Sequence, residues 1–255
     1  MNADIPIGQL IAIFLGSARA GAWLMFCPPF NSRLIPGQVK VLLSIGIALP
    51  MAPYLQSAVP VIETSAIIAA TVLQIFVGAA LGFITYLLFA AVQAAGDLID
   101  VFGGFTLASA YDPLSQNQSS IFGRFYNLTA VTLLFASEGH LLILRGFMES
   151  YKTLPLDANF SMATFNRLLI DGVGEMFVSA LQIAGPLIAV LFLTDVAFGL
   201  LNRVAPALNA FQLGFPAKIF LVLTLAGTAI AILPRVLDGI VDQAVNAVIH
   251  LSSGG

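Results

Sequence analysis

The chain has 255 residues, 59% hydrophobic and only 9% charged, with a formal net charge of −3. Soluble domains carry roughly 25% charged residues, and no soluble fold of this size keeps so much apolar surface away from water, so the composition excludes an ordinary soluble domain. It fits one integral membrane unit with small loops. The 10 Lys and Arg are scattered, which excludes a nucleic-acid patch. A single cysteine, Cys27, excludes an intrachain disulfide framework or a multi-cysteine metal site and reads as apolar filler.

The apolar segments predict an all-α membrane protein of about six hydrophobic helices within one domain spanning residues 1–255. Continuous runs favour helices over the alternating strands of a barrel. The first segment covers 5–26 and carries Arg19 in its middle. A cation at that depth faces protein or a pore, or else snorkels to the segment's end. The start, Met1-Asn2-Ala3-Asp4, lacks the basic stretch of a cleaved signal, so the segments themselves are expected to direct insertion. The second segment, 39–61, is interrupted by Pro50, Pro53 and Pro60. The third, 64–96, is uncharged throughout. It exceeds the roughly 20 residues a bilayer needs, so it tilts, bends or projects. Its Gly78-x-x-x-Gly82 pattern permits close helix approach, and Gly16, Ala20 and Gly21 give the first segment a similar smooth face.

A long connector, 96–124, follows. It contains Gly103-Gly104, Asp112-Pro113 and the polar tract from Ser115 to Ser120. The fourth segment, 125–147, includes Glu138-Gly139-His140. Residues two apart on a helix point roughly 200° apart, so Glu138 and His140 do not form a facing pair, and a turn at Gly139 is the simpler reading. The connector 148–175 predicts a short amphipathic helix at 162–169, capped by Ser161 and stopped at Asp171-Gly172. The fifth segment, 176–201, contains Pro186 and Asp195, and the sixth, 219–233, lies between Lys218 and Arg235. Cations divide almost evenly between alternate loops, so the positive-inside rule barely orients the chain; the Arg33–Lys40 and Arg203–Lys218 loops favour an outside N-terminus.

No Gly-x-Ser-x-Gly nucleophile, phosphate-cradling loop or His-Glu-x-x-His site occurs, so no catalytic set and no cofactor site is expected. A secondary transporter or channel subunit with a buried polar pathway remains an alternative, as six spans, broken helices and buried charge suit it. An intramembrane enzyme would need a nucleophile and base at membrane depth, and none is visible.

The stretch between the fifth and sixth segments reads Arg203-x-x-Pro206-x-x-Asn209-x-Phe211-x-x-Gly214-x-Pro216-x-Lys218. It resembles the loop before the last helix of the FliR/SctT family of flagellar and injectisome export gates. Ile35-Pro36-Gly37-Gln38-Val39-Lys40, Asp112-Pro113, and Gly139-His140 followed by Ser150 and Pro155 resemble further pieces of that family in the same order. Ala207 departs from the family's usual glutamine. The resemblance implies a non-enzymatic subunit built from FliP-like and FliQ-like hairpins. It would join FliP-like and FliQ-like partners in a helical export gate of the bacterial inner membrane, at the flagellar basal body, beside FlhB-like and FlhA-like components. That gate passes unfolded flagellar subunits. It also implies a pore plug after the third helix, with Phe102, Gly103, Gly104, Phe105, Tyr111, Asp112, Pro113 and Phe122 as candidates. Arg19, Gly78, Gly82, Arg203, Pro206, Asn209, Phe211, Pro216 and Lys218 are candidates for subunit contacts. Arg19 and Asp195 would face neighbouring subunits, and the residues from Arg203 to Lys218 would form a rigid turn.

Overall fold

A computed structural model describes residues 7–60, 63–106, 120–156, 161–206 and 210–253. Every regular element among them is helical: α1 (Ile7–Phe26), α2 (Gly37–Ala48), a 3-10 turn (Leu49–Met51), α3 (Ala52–Leu55), a second 3-10 turn (Gln56–Ala58), α4 (Thr64–Gly103), α5 (Ile121–Ala136), α6 (Gly139–Thr153), α7 (Met162–Val204) and α8 (Ala210–Ser253). Four described helical stretches, at Ile7–Phe26, Gly37–Ala58, Thr64–Gly103 and Met162–Val204, are long and apolar enough to cross a membrane. The pair α5–α6 adds a fifth if it is taken as one broken span. At 40 residues, α4 is about 60 Å long, roughly twice the hydrocarbon thickness.

The elements follow from local chemistry. Pro50 and Pro53 each stand in the first turn of a new short helix, where a missing N–H costs nothing. They convert the second apolar segment into a series of short turns. The fourth segment divides at Glu138, whose φ of 59° is left-handed, and the helix restarts at Gly139. The break expected at Gly139 thus falls one residue earlier, and His140, expected in the turn beside Glu138, lies in the new helix.

Two expectations are corrected. The short helix at 162–169 is the first part of α7, which runs unbroken to Val204. Ser161 does cap it, through its hydroxyl to the Thr164 N–H at 3.2 Å, but Asp171-Gly172 does not stop it. The sixth segment is likewise part of a longer helix, α8, with Pro216 and Pro234 inside. Its shorter apolar run is Gln212–Gly227. Pro216 and Lys218 therefore belong to a helix rather than to a turn.

The chain divides into two compact units. Unit 1 comprises residues 1–88, 137–173 and 240–255. Its core includes Leu15, Trp23, Leu55, Leu81, Phe147 and Tyr151, all almost fully buried. In α1 the buried positions Ala12, Leu15, Gly16, Arg19, Ala20 and Trp23 recur at three and four residues and form one stripe. Unit 2 comprises residues 89–136 and 174–239. Ile99, Tyr126, Leu134, Ala184, Leu191 and Val222 are among its buried side chains.

Candidate functional site

The most polar point of unit 1's interior is Arg19. Its side chain is fully buried on the inner stripe of α1. Nε donates to Gln74 Oε1 at 2.7 Å, one terminal nitrogen to the Ser150 carbonyl at 3.1 Å, and the other to the Leu154 carbonyl at 2.9 Å. The guanidinium carbon also lies 4.8 Å above the Tyr151 ring. Tyr151 in turn donates to the Gly16 carbonyl at 2.7 Å, and Gln74 donates to the Leu156 carbonyl at 3.2 Å. Ser150 and Leu154 lie at the C-terminal end of α6, where the helix dipole is negative; the Ser150 carbonyl also accepts the Leu154 N–H at 3.0 Å. The charge is thus held by a helix end, an amide and an aromatic face. All of these hydrogen bonds are made within this chain.

The two glycines of α4 serve the same centre. A Cβ on Gly78 would overlap the Arg19 carbonyl oxygen. One on Gly82 would lie 2.8 Å from the Trp23 carbonyl oxygen and 2.9 Å from the Phe26 Cβ. Gly78 and Gly82, four apart, therefore face carbonyls four apart on α1, and the two helix backbones touch. Trp23 stacks on Phe147 with centroids 4.3 Å apart. The smooth face predicted for α4 exists, but it packs on α1 of the same chain.

Unit 2 holds both edges of the predicted plug. At the near edge Gly104 has a φ of +83°, and a Cβ there would come 2.9 Å from the Phe215 ring; the position requires glycine on both counts. Gly103 is buried, Phe102 is 38% exposed, and Phe105 meets Phe122 edge to face at 5.2 Å. At the far edge Ser120 caps α5, its oxygen accepting the Gly123 N–H at 2.8 Å. Its hydroxyl donates to Asp100 Oδ2, which also accepts the Phe122 N–H at 3.0 Å. A carboxylate from the end of α4 thus satisfies the N-terminus of α5. Gly96 permits this approach, since a Cβ there would be 2.5 Å from the Phe122 carbonyl. Tyr111, Asp112 and Pro113 lie outside the described residues. Asp100→Ala should lower stability by about 0.5–2 kcal/mol, the usual worth of a cap. Thermal unfolding in detergent checks it, and Asp100→Ala with Ser120→Ala should lose less than the sum, because both act on one helix end.

Among the remaining candidates, Arg203 is exposed in the last turn of α7, Pro206 is exposed just beyond it, and Pro216 is exposed on α8. Lys218 forms an ion pair with Asp195 at 2.5 Å within this chain. Asn209 and the side chain of Phe211 lie outside the described residues. Sequence reasoning missed Gln74 and Asp100. Gln74 could have been flagged as an isolated amide in an uncharged apolar helix. Among the described residues no three His, Cys, Asp or Glu side chains converge as metal ligands.

The arrangement defines an integral membrane protein of helices whose buried polar groups are engaged in holding helix ends together. The sequence matches the family described as Bacterial export proteins, family 1, over residues 10–244, and the chain belongs to that family. It is similar to Flagellar biosynthetic protein FliR of Pectobacterium carotovorum subsp. carotovorum, with 32% identity over 91% of this chain and 89% of the relative. With FliR of Escherichia coli it shares 34% identity over 78% and 76% of the two chains. With Yop proteins translocation protein T of Yersinia pestis it shares 29% over 86% and 85%.

Proposed function

We propose that the chain is a core subunit of the flagellar type III protein export gate. With FliP-like and FliQ-like subunits it forms the channel through which unfolded flagellar subunits cross the bacterial inner membrane at the basal body, beside FlhB-like and FlhA-like export components. Its role is structural rather than enzymatic. The observation that carries this reading is the family match over residues 10–244, joined by flagellar relatives that align over most of their own length. The exposed Arg203, Pro206 and Pro216 are proposed to contact other gate subunits. Affinity purification of the tagged chain from its own membranes tests the assembly. FliP-like and FliQ-like proteins should co-purify in fixed ratio; a chain recovered alone and active in solute transport would overturn it.

Within that gate the residues between Phe102 and Phe122 are proposed to plug the pore. A plug must be weakly held and tolerate water, which suits the polar Ser115–Ser120 tract. Deleting residues 110–119 while keeping Ser120, which caps α5, should leave the assembly intact and raise ion leakage. Conductance across membranes containing the assembled gate checks it, and an unchanged value removes the plug role.

A further inference from the structure

In unit 2 the end of α4 lies against α8 through two glycines. A Cβ on Gly103 would come 3.0 Å from Val222 Cγ2, and one on Gly104 would come 2.9 Å from the Phe215 ring. Beyond that ring is a cavity of about 310 Å³, bounded by Phe198 and Gly199 of α7 with Gly214 and Phe215 of α8. Phe215 lines the cavity and Gly104 does not, so the ring stands between the α4 end and open space. About 150 Å³ suffices to take up a benzene molecule, so the cavity has room for the ring. The Lys218–Asp195 ion pair ties α8 to α7 at its wall.

The backbone on both sides of the ring is weakly held. Pro216 lies inside α8; it has no N–H for the Gln212 carbonyl, and its ring crowds that carbonyl. Gly214, on the other side of Phe215, is a poor helix former. Phe215 therefore sits on the loosest turn of its helix, half-buried. Across from it, Gly104 closes α4 with a φ of +83°. Its N–H reaches the Val101 carbonyl only at 3.4 Å, a long hydrogen bond. The ring thus abuts a helix end that its own hydrogen bonding closes poorly.

We propose that Phe215 is a movable wedge between α8 and the end of α4. In the seated state its ring lies against Gly104 and keeps the last turn of α4 closed. In the retracted state the ring turns into the cavity beside Gly199 and releases that turn. A change of side-chain rotamer at the proline-weakened turn makes the move, with no helix displaced as a body. Gly104 is required because a Cβ would occupy the seat of the ring. Whatever fills the cavity holds the wedge in its seat, so the α7–α8 hairpin controls the α4 end through a shift of populations. The inference is confined to unit 2 and does not depend on the export reading.

Amide hydrogen exchange of the full chain as extracted from its membranes, read over residues 101–105, tests it. Gly199→Leu places a side chain where an added Cβ meets nothing within 4 Å. It should slow exchange by roughly tenfold, as the retracted state falls from the percent range to tenths of a percent. Phe215→Ala removes the wedge and should speed exchange by roughly the same factor. The double variant should exchange as fast as Phe215→Ala, because the filled cavity then has no ring to hold. Gly199→Ala should shift exchange in the same direction as leucine by less, and reads the effect if leucine is not tolerated. Unchanged exchange in both position-199 variants would overturn the proposal and make Phe215 fixed packing. So would a slowing that persists in the double variant, since the filling would then act on α4 without the ring.

Discussion

Arg19→Leu should leave little folded protein in the membrane. The change strands the Leu154 carbonyl and the Gln74 side-chain oxygen and takes one of two donors from the Ser150 carbonyl, all partners of a guanidinium with no exposed surface. Each buried acceptor without a partner costs about 1–3 kcal/mol, and each hydrogen bond to a charged group is worth about 1.5–3 kcal/mol. A domain with a total stability of about 5–15 kcal/mol does not tolerate that loss well. Arg19→Lys should rescue only part of it, because an ammonium lacks the planar fork that reaches an amide and two helix-end carbonyls together. The yield of monodisperse protein after detergent extraction reads the series, expected in the order arginine, lysine, leucine. Wild-type yield of Arg19→Leu would show that the network adds nothing to the fold.

Gly78→Ala should be nearly as damaging, although it adds a single methyl group. That methyl would overlap the Arg19 carbonyl oxygen, with the Arg19 carbonyl carbon 2.9 Å and the Ala22 Cβ 3.1 Å away. Two of these three neighbours are backbone atoms and cannot rotate aside. Overpacking typically costs about 1–3 kcal/mol, and more where backbones must separate. Gly46→Ala is the matched control: nothing lies within 4 Å of its Cβ, and alanine in a helix is favoured over glycine by about 1 kcal/mol. Cys27 reports the outcome. It is fully buried one residue beyond α1, its N–H hydrogen-bonds to Trp23 at the same helix seam, and burial pushes its thiol well above the usual value against a side-chain hydrogen bond with Thr85. Maleimide labelling should be slow in the native protein and in Gly46→Ala, and rapid in Gly78→Ala. A protected Cys27 in Gly78→Ala would mean that the two helices can part without loss. Within the chain, this glycine is where α4 meets α1.

The hydrophobic segments were legible because apolar runs and prolines act locally. The first expected segment, 5–26, and α1, Ile7–Phe26, nearly coincide. The prolines at 50 and 53 do break the second segment. Helix ends were less legible, because a charge marks where an apolar run stops and not where backbone hydrogen bonding stops. Lys218 and Arg235 bounded the sixth segment, yet α8 runs through both. Pro216 likewise sits inside that helix, on an exposed position. The Arg19 centre was half legible. The cation at membrane depth was visible, but its acceptors are backbone carbonyls 131 and 135 residues away, and a carbonyl leaves no mark in a sequence. The glycine spacing Gly78-x-x-x-Gly82 foretold a close approach without saying which helix would make it. Asp100 escaped notice because its role depends on Ser120 and Phe122, some twenty residues on.

The proposed place of this helical protein in a flagellar export gate makes it indispensable for export. Deleting its gene in the source bacterium and measuring flagellar subunits in the culture medium tests that most directly. Export should cease, with subunits accumulating inside the cells, and return with the wild-type gene but not with Arg19→Leu. Continued export at the wild-type level in the deletion strain would show that the gate does not need this chain.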